Sequence, residues 1–220
     1  MKSIIITGSG SGLGKELALL YGQKGYHIIL VGRSIEKLKS VEKMIVDNNG
    51  TASSAAVDIT IPDEVNSFIE KISTDFHLYG LINNAGTGFF GPFERTAISD
   101  LESMFAVNVF GTINVTKAFL PAIKEGFVMN IISTAGLRGK LNEAGYCASK
   151  FAVRGLTESL QKEYEDTNIK IKAVYMGGMD TPFWDQSNHI KDKSRLQSPA
   201  KIAEIIYANR NQDTIIIENK

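Results

Sequence analysis

Tyr146 and Lys150 stand four residues apart in Tyr146-Cys147-Ala148-Ser149-Lys150, a spacing that puts both on one face of a helix, about one turn apart. A free phenol, with a pKa near ~10, exchanges protons sluggishly at neutral pH, and a cation beside it favours the phenolate. The pair therefore suits proton transfer at a substrate oxygen, with the phenol pKa expected to be lowered. An aromatic ring resting on a lysine stem is the rival reading of the same spacing.

A second constellation lies at the start of the chain, in Thr7-Gly8-Ser9-Gly10-Ser11-Gly12-Leu13-Gly14. It follows the apolar run Ser3 to Thr7 and opens a helical run from Lys15 to Lys24. A strand that feeds a helix through glycines lets backbone N–H groups and the helix N-terminus meet a pyrophosphate, because no Cβ blocks the approach. Gly8, Ser9, Ser11, Gly12, Leu13 and Gly14 are the expected contacts to a dinucleotide; an ordinary tight turn is the rival. A P-loop would need glycine at Ser9 and a hydroxyl at Glu16, and neither Ser9 nor Ser11 has the flanking glycines of a hydrolase elbow.

An acidic residue about twenty positions further on would bind a ribose 2′-hydroxyl. The sequence there is Leu30-Val31-Gly32-Arg33-Ser34, and the first acid, Glu36, falls in the opening turn of the next helix, where it suits the helix dipole. Arg33 offers a guanidinium to a 2′-phosphate instead. This favours NADP(H) over NAD(H), with a solvated surface arginine as the alternative.

These groups need a scaffold. Short β-branched apolar runs alternate with stretches of helical period, which predicts successive β-α units in a doubly wound, Rossmann-type α/β fold: a seven-stranded parallel sheet with helices on both faces. The expected strands are Ser3 to Thr7, His27 to Val31, Ser53 to Asp58, Gly80 to Asn83, Phe127 to Ser133, Ile169 to Tyr175 and Thr214 to Ile217. Nearly continuous runs such as Ile4-Ile5-Ile6 fit strands buried on both faces. Expected helices run from a Ser34 cap to about Asp47, from Pro62, from Ser99 to Lys124, from Ala144 to about Asp166, and from near Pro199. Gly177 to Ser198 is the most irregular stretch and the expected mobile loop.

With 220 residues and no internal repeat, one domain spanning 1–220 is expected. Lysine plus arginine and aspartate plus glutamate number 24 each, so no strong field argues for nucleic acid or a membrane as partner. A small molecule is the expected partner. One cysteine and three histidines without ligand spacing argue against a disulfide or a metal site. The opening apolar run is too short for a signal peptide, so the expected location is cytoplasmic.

Four landmarks now stand in order: Thr7 to Gly14, Asn83-Asn84-Ala85-Gly86, Ser133, and Tyr146 to Lys150. Over essentially its whole length the chain resembles the short-chain dehydrogenase/reductase family. The resemblance implies an NADP(H)-dependent oxidoreductase that interconverts a carbonyl and an alcohol by hydride transfer, with Tyr146 as proton donor or acceptor. It further implies that Ser133 holds the substrate oxygen and that Lys150 also holds the nicotinamide ribose. Asn108, in Phe105-Ala106-Val107-Asn108-Val109, would support a water linking Lys150 to solvent. Asp58 and Ile59 would touch adenine, though Asp58 also reads as a capping carboxylate ahead of Pro62, and Asn84, Ala85 and Gly86 would line the adenosine side. Gly177 and Thr181 would meet the nicotinamide carboxamide or phosphate, while Met176 replaces the family's proline, predicting a looser loop. The family pairs such chains into dimers or tetramers, here through Ser99 to Lys124 and Ala144 to Asp166. Substrate contacts are expected from Phe89, Phe90, Phe183 and Trp184, with Phe93 read as core. A catalytically idle NADP-binding sensor on the same fold is the competing hypothesis, and an isomerase or dehydratase that borrows the cofactor is a third.

Overall fold

The computed structural model describes residues 1–185, 189, 192 and 196–218. Seven strands form, one at each expected place: β1 (Lys2–Thr7), β2 (His27–Gly32), β3 (Thr51–Ala56), β4 (His77–Asn83), β5 (Gly126–Ile131), β6 (Ile169–Met176) and β7 (Thr214–Ile217). They pair in parallel in the order β3-β2-β1-β4-β5-β6-β7. The order reverses between β1 and β4, and a crevice opens outside the carboxyl ends of strands at such a switch point.

The helices are α1 (Gly12–Gln23), α2 (Ile35–Asp47), α3 (Pro62–Asp75), α4 (Ile98–Phe105), α5 (Thr112–Phe119), α6 (Ala144–Glu163) and α7 (Pro199–Ala208). Strand side chains alternate between two cores. Ile4, Ile6, Ile28 and Leu30 pack with residues of α1, α2 and α7, whereas Ile5, Ile29 and Val31 pack with residues of α3 and α5. Burial of each such isoleucine is worth about 1.5–3 kcal/mol, and this anchors the strand ends that carry the site.

Two expectations are corrected. The third strand begins two residues earlier than its pattern indicated and ends at Ala56. Its residues Thr51-Ala52-Ser53-Ser54-Ala55-Ala56 are small and lie on the sheet edge, so hydrophobicity does not mark its ends. The helix expected over Ser99 to Lys124 changes pitch: α4 runs into a π-helical turn, Ala106–Gly111, before α5, and Leu120–Ala122 closes it as a 3-10 turn. Such turns recur at functional sites, and Asn108 lies inside this one. Ser34 caps α2 as expected, its hydroxyl accepting from the Lys37 N–H at 3.4 Å.

Part of the segment from Gly177 to Ser198, expected to be mobile, lies outside the described residues. Its described ends meet in a single bridge between Met179 and Gln197. Among the described residues no helix is long and apolar enough to cross a membrane.

Candidate active site

A cleft of about 640 Å³ runs along the carboxyl ends of the strands. One wall is the glycine turn. Gly8 and Gly12 have φ of 64° and 55°, a left-handed backbone that glycine adopts without steric cost. A Cβ on Gly8 would stand 2.8 Å from the Ala85 Cα, and one on Gly12 would stand 3.3 Å from Thr181 Cγ2. Two loops thus close on the turn, leaving room for backbone alone. Asn84 fastens it, with Nδ2 donating to the Thr7 and Gly8 carbonyls at 3.0 and 3.2 Å. The Thr7 hydroxyl accepts from the N–H groups of Asn84 and Ala85 at 3.0 and 3.1 Å. Ser11 stands at the N-cap position of α1 without a side-chain capping bond, and the first turn carries no acid, so the helix end presents N–H groups to the cleft with no competing anion.

Gly8, Ser11, Gly12, Leu13, Arg33 and Asp58 line the cleft. So do Ile59, Asn84, Ala85, Gly86, Gly177 and Thr181. Two expected contacts do not. Ser9 is fully buried, its hydroxyl accepting from the Val31 N–H at 3.0 Å, and so ties the turn to β2. Gly14 is packed instead against the Gly8 carbonyl and the Asn84 amide, both of which a Cβ would strike.

Arg33 is exposed on the cleft wall with Lys37 nearby. Asp58 both lines the cleft and caps the turn before α3: its Oδ1 accepts from the Thr60 N–H at 2.9 Å and from the Thr60 hydroxyl at 2.7 Å. The Thr60 N–H, its hydroxyl and the Arg33 guanidinium hold the Asp58 carboxyl below its ordinary pKa against an opposing effect of burial. Glu36 serves the start of α2, as expected, accepting from the Ser34 hydroxyl at 2.9 Å.

At the other end of the cleft Ser133, Tyr146 and Lys150 come together, each buried and each in its wall. Ser133 leaves β5 with φ 97° and ψ 150°, and its hydroxyl accepts from the Ala135 N–H at 3.2 Å. A non-glycine residue held there stores strain, of the order of 1–3 kcal/mol. Lys150 Nζ lies 5.7 Å from the centre of the Tyr146 ring and donates to the Ile131 carbonyl at 3.1 Å. Burial pulls the Lys150 ammonium down to about 8. The lowered phenol pKa expected at Tyr146 is not what the protein alone provides. Burial pushes it well above the ordinary tyrosine value, Glu143 and Cys147 add to the rise, and a hydrogen bond with Ser133 offsets only part of it.

The Asn108 side chain is fully engaged with protein groups. Its Oδ1 accepts from the Thr87 N–H at 2.8 Å, while Nδ2 donates to the Thr87 carbonyl at 2.9 Å and to the Ser149 hydroxyl at 3.0 Å. It therefore clamps the segment after β4 against α6. Gly86 lies between, since a Cβ there would stand 3.3 Å from Asn108 Oδ1 and 3.8 Å from Lys150 Nζ. The Thr112 hydroxyl donates to the Asn108 carbonyl at 2.9 Å. Met176 stays in β6, opposite Ile217, and the Gly177 N–H donates to the Ile217 carbonyl at 2.9 Å. The strand thus runs through the position where the family's proline was expected.

Aromatic rings cover Tyr146. Phe90 and Phe183 contact it with centroids at 5.5 and 5.8 Å, and Trp184 packs on Phe90 at 5.1 Å. Phe93, read as core, is 62% exposed, because it sits in a short surface turn. Sequence reasoning missed two charged groups of the wall. Lys140 donates to the Thr134 hydroxyl at 3.0 Å, and the buried Glu143 meets His189 Nε2 at 3.0 Å. Neither stands in a periodic pattern that would have marked it.

The short chain dehydrogenase profile matches residues 2–192. An uncharacterised oxidoreductase, YbbO of Escherichia coli, is 31% identical over 203 residues, covering 90% of this chain and 73% of that protein. Among solved structures, a short-chain dehydrogenase/reductase from Vibrio parahaemolyticus is 33% identical with a TM-score of 0.87, covering 99% of this chain and 96% of that one. ElxO with NADP bound is 29% identical with a TM-score of 0.89, covering 99% and 97%. With a turn built for close approach, a serine, tyrosine and lysine gathered at the far end of one cleft, and these matches along nearly its whole length, the chain belongs to the short-chain dehydrogenase/reductase family of oxidoreductases.

Proposed function

We propose that this protein is an NADP(H)-dependent oxidoreductase that interconverts a carbonyl and an alcohol, with Tyr146 giving or taking the proton at the oxygen. The observation that carries the reading is the single cleft with the glycine turn and Arg33 at one end and Ser133, Tyr146 and Lys150 at the other.

The residues fit such a cofactor. The glycine turn and the start of α1 line the cleft with no acid in the first helical turn, which suits a pyrophosphate at the backbone N–H groups of Gly8, Ser11, Gly12 and Leu13. Ser9 and Gly14 hold the turn in shape. Arg33, with Lys37 nearby, suits a 2′-phosphate, in agreement with NADP in ElxO. Asp58 and Ile59 suit the adenine, and Asn84, Ala85 and Gly86 the adenosine side. Gly177 and Thr181 suit the nicotinamide end, and Lys150 its ribose. When bound, the dinucleotide supplies or accepts the hydride.

The chain's own part is the proton. Burial keeps the Tyr146 hydroxyl protonated at neutral pH, so it is set as a donor to a carbonyl oxygen that gains electrons. Ser133 orients that oxygen through its hydroxyl. The phenolate left behind is favoured by the Lys150 ammonium, which the Ile131 carbonyl holds in place. Asn108 positions the segment against which Lys150 rests. Phe90, Phe183 and Trp184 exclude water and give the substrate an apolar cover.

Phe110 and Phe151 are 57% and 42% exposed, one on the π-helical turn and the other on α6. Exposed aromatic rings on these helices support pairing of two copies there.

The test is consumption of NADPH across a panel of aliphatic and aromatic aldehydes and ketones, with NADH in parallel. Turnover with at least one carbonyl, faster with NADPH, is expected. Tight NADPH binding with no turnover on any carbonyl or alcohol contradicts the reading and favours a sensor.

A further inference from the structure

A second cavity, of about 390 Å³, lies at the opposite end of the sheet, where β4, β5 and β6 begin and α1 and α7 end. The alternation of β6 explains why it is polar. Residues 170, 172, 174 and 176 share one face of that strand. Val174 and Met176 pack in the core with α1 and α7, while the same stripe continues toward the strand start as Lys170 and Lys172, both in the cavity wall.

A bulge completes the wall. β1 pairs Ser3 with Leu78 and Ile4 with Gly80, so Tyr79 is an extra residue in β4, and such a residue kinks its strand and re-aims its side chain. The Tyr79 ring lines the cavity, edge-on to Phe127 at 5.9 Å and parallel to Tyr26 at 6.3 Å. Its carbonyl is pressed onto Gly126, whose φ is 135° and where a Cβ would collide with that oxygen.

The donors in this cavity outnumber what they serve. Lys172 is 7% exposed and donates to the Gln212 carbonyl at 3.3 Å, with the Asp213 carboxylate 3.8 Å away and largely exposed. Arg210 donates from Nη1 to the Tyr207 carbonyl at 3.0 Å and Lys170 to the Glu165 carbonyl at 3.4 Å. An ammonium has three donors and a guanidinium five, so these bonds leave further N–H groups. Tyr21, 1% exposed and in the same wall, has a hydroxyl with no hydrogen-bond partner. Burial pushes its pKa far above the ordinary tyrosine value, although the nearby Arg210 charge opposes the shift. The hydroxyl therefore keeps its proton and lies beneath the cavity wall, out of reach of a molecule held there.

We propose that this cavity binds a phosphate group, free or carried by a small metabolite, through Lys170, Lys172 and Arg210. Charge-assisted hydrogen bonds to phosphate oxygens would satisfy all three. The site is separate from the cofactor cleft, so it is a place for a regulatory or stabilising ligand.

The experiment is calorimetric titration of the full-length protein, saturated with NADP⁺ to block the cleft, with inorganic phosphate and in a second arm with glycerol phosphate; sodium chloride at matched ionic strength is the control. One saturable site is expected. Tighter binding of the ester identifies a phosphorylated metabolite as the ligand, and equal or weaker binding identifies the free ion. Tyr21→Phe, which alters a hydroxyl beneath the wall, should bind phosphate as the wild type does. Lys172→Met combined with Arg210→Gln should abolish binding. No saturable heat beyond the chloride control, or wild-type affinity in the Lys172→Met, Arg210→Gln variant, overturns the proposal. None of these readouts involves turnover, so they stand or fall apart from the proposed activity.

Discussion

Lys150 donates its ammonium to the carbonyl of Ile131 at 3.1 Å, so the cation on α6 is fastened to the last residue of β5, two positions before Ser133. One strand end thus sets the place of all three polar groups: Ile131 holds Lys150, Ser133 follows it in the chain, and the Ser133 hydroxyl lies close enough to Tyr146 to lower its pKa against the effect of burial.

The backbone of Ser133 gives a test that separates chemistry from stability. At φ 97° and ψ 150° glycine is at ease and alanine is not. Ser133→Gly and Ser133→Ala should both lose roughly 10²- to 10³-fold in kcat as the oxygen loses its partner. The glycine variant should nevertheless be the more stable, by the order of 1 kcal/mol. Denaturant unfolding of the pair checks this; equal midpoints would show that the backbone is relaxed.

Burial pulls Lys150 from its ordinary 10.5 to about 8, and the charged form is the one that favours phenolate. Reduction should therefore lose rate as pH rises through about 8, with a slope of one proton. Stability should move the other way. Between about 8 and 10.5 the unfolded chain binds this proton and the folded chain does not, so unfolding free energy rises with pH there. A pH–rate profile flat from about 7 to 10 would contradict the assignment of the ammonium to catalysis.

Arg33→Asp removes the guanidinium at the cofactor end and restores an acid where a ribose 2′-hydroxyl would be read. The ratio of kcat/KM for NADPH over NADH should fall by at least tenfold. An unchanged ratio would place the 2′-phosphate elsewhere.

Asn108 makes three hydrogen bonds from a position 1% exposed. Asn108→Ala leaves the Thr87 N–H and carbonyl without partners, at a cost of about 1–3 kcal/mol, and frees the segment beside Lys150. Thermal unfolding should show the loss, and kcat should fall with little change in the dissociation constant for NADPH. An Asn108→Ala protein as stable as wild type would sink the clamp.

Strands and sheet were legible in the sequence because Ile4-Ile5-Ile6 and its counterparts are buried on both faces, and burial leaves an apolar run that can be read directly. The small residues of β3 carry no such mark. Helical period likewise showed that the stretch around Asn108 is helical, but a π-helical turn keeps the apolar pattern while changing the hydrogen bonding, so it stayed hidden. The glycine motif told where the turn is. It did not tell which members face the cleft, since Ser9 turns toward β2 and Gly14 toward Gly8 only in three dimensions. Lys140 and Glu143 enter the wall from an irregular segment, by tertiary approach alone. The pKa of Tyr146 was misjudged because spacing reveals the neighbouring cation and not the depth of burial.

The proton-transfer role of Tyr146 is tested most directly by Tyr146→Phe, measured for NADPH affinity and for turnover in the same preparation. The phenyl ring keeps the packing against Phe90 and Phe183 and lacks only the hydroxyl, so affinity should stay within about twofold while kcat drops by roughly 10²- to 10⁴-fold. Turnover at the wild-type rate would mean that another group moves the proton.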